Sequence, residues 1–155
     1  MVGGLTKGYI EKTGLKLLKN FLGCYPADLQ PKHKKKEFSI IFNLSKHNEL
    51  GTHFVAISNQ KNVLVYFDSL GKPCTNNLLK SFIKTNIKSK KYSSNRNKVQ
   101  SDGSTLCGVF CLGFLLSQEN KIQMNDFVKI FCKTNLQLND EIILEFIKEC
   151  KRVKY

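Results

Sequence analysis

The sequence predicts an α+β fold: a small mixed or antiparallel sheet packed against helices, with one buried central helix. Three runs rich in β-branched and aromatic residues, at 38–44, 53–58 and 63–67, are typical of strands. An almost wholly apolar run at 106–117 is typical of a helix that is buried on all sides. The length suits one domain with a substantial core, so we expect a single domain over 1–155.

Leucine spacing and turn residues predict the elements around the first strands. Leucines recur at intervals of three and four over 15–22, which predicts a helix that Gly23 and Pro26 end. The tetrapeptide 59–62 predicts a tight turn between the second and third strands. These two strands should therefore form a hairpin.

The second half of the chain is predicted to be mainly helical. Thr75 is expected to cap a helix over 76–87, and a short strand is expected to end near Gln100. The buried helix comes next. A helix over 125–131 follows it, and Asn139 is expected to cap the last helix.

Positive charge is concentrated in the first three-quarters of the chain. The net charge is +13; residues 1–118 carry 18 basic and 6 acidic residues, whereas 119–155 carry 7 and 6. Such a field favours polyanions such as DNA, RNA or anionic membrane surfaces. A lysine-rich proteome would produce the same excess, so charge alone leaves both interpretations open.

Several protein classes are disfavoured by what the sequence lacks. No apolar run approaches the roughly 20 residues that span a bilayer, and residues 1–7 lack the apolar region of a secretory signal. The six cysteines include no CxxC pair, and the three histidines do not fall at metal-ligand spacing with them. We therefore expect an intracellular monomer with reduced thiols, no metal and no membrane partner.

Four residues together suggest nucleophilic chemistry. Cys107 lies between a Gly/Ser loop and the first turn of the buried helix, where the helix dipole favours a thiolate and unpaired N–H groups can bind an oxyanion. His53 opens a strand and is the best candidate base, and Asp68 ends the neighbouring strand within side-chain reach. Gln100, seven residues before Cys107, is placed to complete an oxyanion hole.

Each of these residues also has an ordinary structural interpretation. A histidine on a strand is usually structural, an aspartate at a strand end usually forms a turn, and a cysteine in an apolar helix usually packs in the core. A glutamine before a loop carries no signal by itself. The order and the local contexts of the four residues together favour a reactive site.

Several segments resemble the adenovirus maturation protease (adenain) family, in the group that also contains SUMO-deconjugating proteases. They are 51–57, 66–71 and 100–111, and the run 21–26 is similar to the family's N-terminal segment. The element Gln-x6-Cys-Gly-x-Phe-Cys is the most specific part. The resemblance covers about 17–117.

The resemblance implies a role for each of the four residues. His53 would be the general base and then the acid to the leaving amine, and Asp68 would orient it. Cys107 would be the nucleophile, and Gln100 would form the oxyanion hole with the Cys107 N–H. The implied protein is a viral cysteine endopeptidase that cleaves capsid or core precursor proteins at Gly-containing sites during virion maturation, in the host cell and in the virion.

Two other functions stay open at this stage. One is an isopeptidase that removes ubiquitin-like modifiers, from the same structural group. The other is a basic DNA-binding domain that keeps the fold without enzymatic activity. The small size and the segment 21–26 argue against the first, and the presence of all four residue types argues against the second.

The sequence departs from the adenoviral pattern at several points. Asp68 stands where adenoviral enzymes carry glutamate, as in the SUMO-protease branch, and Phe54 stands where tryptophan commonly follows the histidine. Adenoviral proteases are activated by DNA and by a viral peptide linked through a disulfide, but residues 89–99 contain no cysteine for that link. We expect chemistry without a cofactor, DNA as a candidate activator, and no disulfide-linked peptide.

A basic segment before Gln100 is the predicted nucleic-acid footprint, with Tyr92 interleaved. Its cations are Lys84, Lys88, Lys90, Lys91, Arg96 and Lys98. The run 32–36 would extend it, and binding would be non-specific and weakened by salt. A solvated basic face is the alternative. Gly3 and Gly4 resemble a Gly-rich cleavage site, which suggests self-processing; a Gly-tolerant terminus explains them equally.

Overall fold

One mixed sheet forms the centre of the molecule. The computed structural model describes residues 7–50, 53–87 and 91–153. Within these ranges the strands are neighbours in chain order. They are β1 (Phe21–Pro26), β2 (Phe38–Asn43), β3 (Phe54–Gln60), β4 (Val63–Phe67) and β5 (Lys91–Ser94). The three middle strands pair antiparallel, and β1 and β5 each join their neighbour in parallel.

Five helices accompany the sheet in the same described ranges. They are α1 (Lys7–Leu17), α2 (Asn77–Asn86), α3 (Cys107–Glu119), α4 (Met124–Lys129) and α5 (Leu138–Val153). Every residue of α3 from 107 to 117 is buried. The predicted fold class, an α+β fold with a buried helix that carries a cysteine at its N-terminus, is confirmed. No helix in these ranges is long and apolar enough to cross a membrane.

The sheet is covered on both faces, because side chains alternate along each strand. In β4, Leu64 and Tyr66 belong to the apolar cluster that includes α2 residues. Val65 and Phe67 belong to the cluster around α3. We call these sides the α2 face and the α3 face. Two apolar layers therefore explain why the strands are apolar at nearly every position.

Stacked phenylalanines fix α3 against the sheet. Phe67 of β4 stacks on Phe114 of α3 with ring centroids 4.7 Å apart, and both rings are fully buried. Complete burial of such a side chain stabilises a fold by about 1.5–3 kcal/mol. Because Phe67 immediately precedes Asp68, this contact also sets the position of the strand end where the candidate site begins.

The predicted N-terminal helix over 15–22 was wrong in its bounds. The helix α1 ends at Leu17, and residues 21–26 form β1, which pairs with β2. Leu15 is 59% exposed, so the leucine spacing does not mark a buried helix face. Long-range strand pairing decided the structure here, against a local pattern that favoured helix.

Smaller differences concern the ends of elements. Asn76, and not Thr75, caps α2, since its side chain accepts hydrogen bonds from the first helical N–H groups. The last helix begins at Leu138, so Asn139 lies inside it. The strand β5 ends at Ser94, well before Gln100. The helix predicted over 125–131 is α4, which spans 124–129.

The hairpin turn is shorter than predicted. The strand β3 continues through Gln60, and the turn is made by Lys61 and Asn62, which have φ values of 49° and 62°. Two residues with positive φ suit the type of tight turn whose twist matches that of antiparallel strands. This turn sets the β3–β4 register.

Gly71 should be required for the turn that follows β4. Its φ is 73°, and a Cβ there would lie 2.8 Å from the Lys98 nitrogen and 2.9 Å from the Asn97 carbonyl carbon, both backbone atoms. We expect Gly71→Ala to lower the free energy of unfolding by about 1–3 kcal/mol, measured by chemical denaturation.

Gly103→Ala is the matched control, because a Cβ at Gly103 would meet nothing within 4 Å. Its free energy of unfolding should stay within about 0.5 kcal/mol of the wild type. Equal stabilities for the two variants would contradict the steric argument at Gly71.

Candidate active site

The β3–β4 hairpin brings His53 and Asp68 together. The register pairs Ala56 with Phe67, so Asp68 continues opposite Val55 and has His53 as its diagonal neighbour on the same face. His53 Nε2 lies 2.7 Å from Asp68 Oδ1. The side chains are 15% and 4% exposed, respectively, so the pair is shielded from solvent.

Cys107 is the second partner of the His53 ring. The Asp68 contact uses Nε2, and the Cys107 side chain lies near enough to the ring to help raise its pKa. Burial by itself would lower the pKa of His53, but the hydrogen bonds and charges of Asp68 and Cys107 raise it from 6.5 to about 9. The imidazole is therefore charged at neutral pH.

Asp68 is fixed by a set of short contacts. Its Oδ1 also accepts a hydrogen bond from the Leu70 N–H at 2.8 Å. The Asp68 N–H donates to Asn95 Oδ1 at 2.8 Å, and Asn95 Nδ2 donates to the Asp68 carbonyl at 2.6 Å. Because β4 and β5 are parallel, their ends coincide, and buried Asn95 reaches Asp68 from the next strand.

Ser69 connects this strand end to Gln100. The Ser69 hydroxyl donates to Gln100 Oε1 at 2.5 Å, and the Ser69 carbonyl accepts from the N–H groups of Val99 and Gln100 at 2.9 and 3.1 Å. Gln100 Nε2 donates to the Ser104 carbonyl at 3.0 Å. Since an amide nitrogen carries two hydrogens, a second donor remains after the Ser104 contact.

The start of α5 holds the loop that leads to Cys107. Ser104 Oγ donates to Asp140 Oδ1 at 2.6 Å and accepts from the Leu106 N–H at 3.2 Å. Asn139 is completely buried, and its Nδ2 donates to the carbonyls of Val99 and Cys132 at 2.8 and 2.9 Å. These contacts fix both ends of the loop.

Cys107 occupies the first turn of α3. The N–H groups of a first helical turn have no intrahelical acceptor, and the helix dipole there favours negative charge. The sulfur is thus held between this electropositive end and the His53 ring. The arrangement can stabilise both a thiolate and an oxyanion.

Burial keeps two neighbouring cysteines, Cys111 and Cys24, in the neutral thiol form. Burial raises the pKa of Cys111 well above its ordinary value. Burial also raises the pKa of Cys24 to about 12, although the charge of Lys7 opposes the shift. Neither thiol ionises near neutral pH. None of the six cysteines is in a disulfide, and Cys111 is completely buried one turn below Cys107 in the core.

The predicted nucleic-acid residues lie in different settings. Lys84 is in the last turn of α2, where with exposed Tyr92 and half-buried Cys74 it lines a cavity of about 370 Å³. Lys98 forms an ion pair with Asp102. The remaining positions complete the set: Lys91 begins β5, Arg96 follows that strand, and Lys88 and Lys90 lie outside the described residues.

Four residues that shape the site were missed by sequence reasoning. They are Ser69, Asn95, Ser104 and Asp140. Ser69 could have been found, because it directly follows Asp68 and must lie near the same strand end. The other three depend on contacts between distant segments, which no local pattern indicates.

The fold and the contacts together define a class of protein: an α+β domain in which a histidine bonded to an aspartate lies near a cysteine at a helix N-terminus. No protein-family model matches the sequence, and no curated protein matches it.

Solved structures are similar in fold. The crystal structure of the ASFV pS273R protease matches with a TM-score of 0.63 and 16% identity, over 94% of this chain and 66% of that chain. The Se-Met crystal structure of the same ASFV protease gives 0.62 and 14%, with the same coverage. This chain therefore spans slightly less than two-thirds of the ASFV protein. At this identity the likeness is one of fold, and membership of the adenain family stays a prediction.

The charge of Asp68 should account for much of the raised His53 pKa. We expect Asp68→Asn to lower that pKa from about 9 towards 6.5, because the variant keeps an acceptor oxygen but loses the charge that stabilises the imidazolium. In the wild type, His53 stabilises the fold below pH 6.5, and this contribution is lost as the pH rises through about 9. In Asp68→Asn, the stability that is lost between pH 6.5 and 9 should be smaller than in the wild type. NMR titration of the His53 ring, with unfolding measured across this pH range, tests both statements.

Asp102→Asn is the control for this prediction. Asp102 lies in the loop before α3 and pairs with Lys98, but it has no contact with the ring. It should leave the His53 titration where it is in the wild type. An unchanged His53 pKa in Asp68→Asn would show that Asp68 is not the source of the shift.

Proposed function

We propose that this chain is a cysteine endopeptidase in which Cys107, His53 and Asp68 act as a catalytic triad and Gln100 serves the oxyanion hole. The observation that carries the proposal is the 2.7 Å contact between His53 Nε2 and Asp68 Oδ1, with Cys107 near the same ring at the start of α3. Buried charge of this kind is expensive in a purely structural role and is typical of reactive sites.

The first half of the reaction is acyl transfer to sulfur. His53 holds the proton that the Cys107 thiol gives up, and the protonated ring beside the sulfur favours the thiolate. The sulfur attacks the carbonyl carbon of the scissile peptide, and the carbonyl electrons move to oxygen. When the tetrahedral intermediate collapses, the C–N bond breaks and His53 gives its proton to the leaving amine. A thioester on Cys107 remains.

The second half is hydrolysis of this thioester. His53, now neutral, takes a proton from a water molecule that attacks the thioester carbon. The C–S bond then breaks, and the sulfur leaves as the thiolate beside the imidazolium. Asp68 holds the ring through Nε2 in both halves, so that Nδ1 remains directed at the sulfur.

In both halves the negative oxygen would be bound by the Cys107 N–H and by the Gln100 amide. The Ser69 hydroxyl donates to Gln100 Oε1, which fixes the amide orientation and directs its nitrogen away from Ser69. A donor that is held before the reaction begins stabilises the developing charge without a reorganisation cost. The hydrogen bond from Ser104 to Asp140 also helps to hold the Gln100 amide in place, because Gln100 donates to the Ser104 carbonyl.

The finer proposal is a viral enzyme that processes capsid or core precursor proteins at Gly-containing sites. Its support is the fold similarity to the ASFV pS273R protease and the resemblance of 51–57, 66–71 and 100–111 to the adenovirus maturation protease family. Action at viral assembly sites and in the virion, without a disulfide-linked peptide, belongs to the same proposal. An isopeptidase for ubiquitin-like modifiers would use identical chemistry, so substrates must distinguish the two.

Cys107 should be the reactive thiol of the protein. We expect stoichiometric iodoacetamide at mildly acidic pH to modify Cys107 first, as read by mass spectrometry, because the protonated His53 stabilises its thiolate. Cys107→Ala should remove peptidase activity by roughly 10⁴-fold or more. Activity that survives in Cys107→Ala would refute the assignment.

Cys132 provides an internal control for the alkylation. It is half-buried, and hydrogen bonds from Thr134 and Asn135 lower its pKa, so it is also a reactive candidate. The Cys132 sulfur contacts the Thr134 hydroxyl and the Asn135 N–H, whereas Cys107 lies near the His53 ring. His53→Gln should therefore slow alkylation of Cys107 and leave the rate at Cys132 unchanged.

Two substrates separate the two peptidase functions. A Gly-rich peptide of the capsid-precursor type should be cleaved, whereas the C-terminal tail of a SUMO-type modifier should not. Faster cleavage of the modifier tail would favour the isopeptidase. Failure to cleave either substrate, with Cys107 no more reactive than Cys132, would leave the non-enzymatic interpretation.

Ser69 should act as a positioning residue for Gln100. We expect Ser69→Ala to reduce kcat about 10- to 100-fold with little change in KM, because the amide donor is no longer held towards the oxyanion. Affinity for a Gly-terminated peptide aldehyde, which forms a tetrahedral oxyanion on sulfur, should fall in parallel. Alkylation of Cys107 by iodoacetamide needs no oxyanion hole and should be unchanged.

Ser81→Ala serves as the control, because Ser81 lies on the exposed side of α2. Loss of alkylation rate in Ser69→Ala would indicate general damage to the site. Unchanged kcat and aldehyde affinity would remove Ser69 from the proposal.

A further inference from the structure

The first turn of α3 packs against α1 at the residue that follows Cys107. A Cβ built on Gly108 would lie 2.0 Å from Ile10 Cδ1 and 3.0 Å from Ile10 Cγ1. Carbon atoms in contact are about 3.5–4.0 Å apart, so no side chain fits at position 108 while Ile10 stays where it is. The Ile10 side chain therefore occupies the space into which a residue larger than glycine would project.

Phe54 borders the same space. The Cβ built on Gly108 would lie 3.4 Å from Phe54 Cδ2. Gly108 directly follows Cys107, and Phe54 directly follows His53. Ile10 is 1% exposed, and Phe54 packs against the apolar cluster to which Ile10 belongs. One buried side chain of α1 thus lies where the segments that carry the two reactive groups approach each other.

Polar contacts on two sides hold α1 in this position. The Cys24 N–H of β1 donates to Glu11 Oε2 at 3.1 Å. Lys151 Nζ of α5 donates to the Tyr9 hydroxyl at 2.9 Å and lies 4.9 Å from the centroid of the Tyr9 ring. Glu11 and Tyr9 flank Ile10 in the sequence. Because α1 is attached to both neighbours, Ile10 cannot withdraw from α3 unless these contacts are lost.

We propose that Ile10 is a positioning residue of the candidate active site: by packing on the bare Cα of Gly108, it sets the distance between the Cys107 sulfur and the His53 ring. The inference rests on the proposed function. A nucleophile and its base must lie within hydrogen-bond reach, and a misplacement of about 1 Å can cost about 100-fold in rate. Ile10 acts through Gly108 and Phe54.

Gly108→Ala tests this contact directly. The added methyl group must push the start of α3 away from α1, because Ile10 is buried and cannot turn into solvent. We expect kcat to fall about 100-fold with little change in KM. Alkylation of Cys107 by iodoacetamide should slow about tenfold, because the His53 ring then stabilises the thiolate less. The rate at Cys132 should stay at its wild-type value.

Gly113→Ala is the matched control on the same helix. A Cβ at Gly113 would lie 2.3 Å from Ile143 Cδ1 of α5, so this variant also forces an isoleucine of another helix away from α3, but six residues beyond Cys107. It should lose stability and keep the wild-type alkylation rate at Cys107. Alkylation is the readout, because α5 also holds Ser104 and alkylation needs no oxyanion hole. Equal slowing in both glycine variants would overturn the proposal.

Ile10→Val should rescue Gly108→Ala. Valine lacks Cδ1, the atom at 2.0 Å, and keeps Cγ1 at 3.0 Å, where a small shift relieves the contact. We expect kcat and the Cys107 alkylation rate of the double variant to return to within about fivefold of the wild type, whereas independent effects would add. A folded double variant that recovers neither rate would overturn the proposal.

Ile10→Val alone tests the proposal if Gly108→Ala does not fold. The loss of one buried methyl group loosens the contact with α3, so alkylation of Cys107 should slow about threefold. The His53 pKa, about 9 in the wild type, should fall in an NMR titration, because the sulfur lies farther from the ring. Ile143→Val removes the same methyl group and should change neither. Wild-type values of both quantities in Ile10→Val would refute the positioning role.

These readouts separate the positioning role from the proposed function. Alkylation and the His53 titration need no peptide substrate, so they still decide the role of Ile10 if the wild type cleaves no peptide. That result would refute the proposed function alone. Peptidase activity in the wild type, with no change of either readout in Ile10→Val, would refute the positioning role alone.

Discussion

The hydrogen bond between His53 and Asp68 is the constraint on which the candidate site depends. It joins the adjacent strands β3 and β4 at the open end of their hairpin. Because it uses Nε2 of the ring, it leaves Nδ1 as the nitrogen available to Cys107. A hydrogen bond to a charged group contributes about 1.5–3 kcal/mol. The surrounding turn and Asn95 keep the Asp68 backbone in one place, so the carboxylate meets the ring in one geometry.

Buried polar contacts extend this constraint across the molecule. Ser69, next to Asp68, connects to Gln100, Gln100 connects to Ser104, and Ser104 connects to Asp140 at the start of α5. Apolar packing tolerates small shifts between elements, whereas a satisfied polar network specifies one arrangement. Segments far apart in the chain are therefore held in one arrangement around the loop that leads to Cys107.

The parts that sequence predicted well are those that local information determines. The middle strands follow from their composition, and proximity of His53 and Asp68 follows from one short hairpin. The buried helix follows from its apolar run. The strand β1 and the role of Asn95 could not be predicted, because each depends on parallel pairing with a strand that is distant in the chain. Asn139 was predicted as a helix cap, but its amide instead bonds to carbonyls of other segments.

The two covered faces of the sheet separate the candidate active site from the 33–36 loop. Cys107 begins the helix on one side, whereas His33 contacts Phe38 and Phe82 on the other. Each surface is then free to diverge under its own selection, with only the shared strands between them held constant.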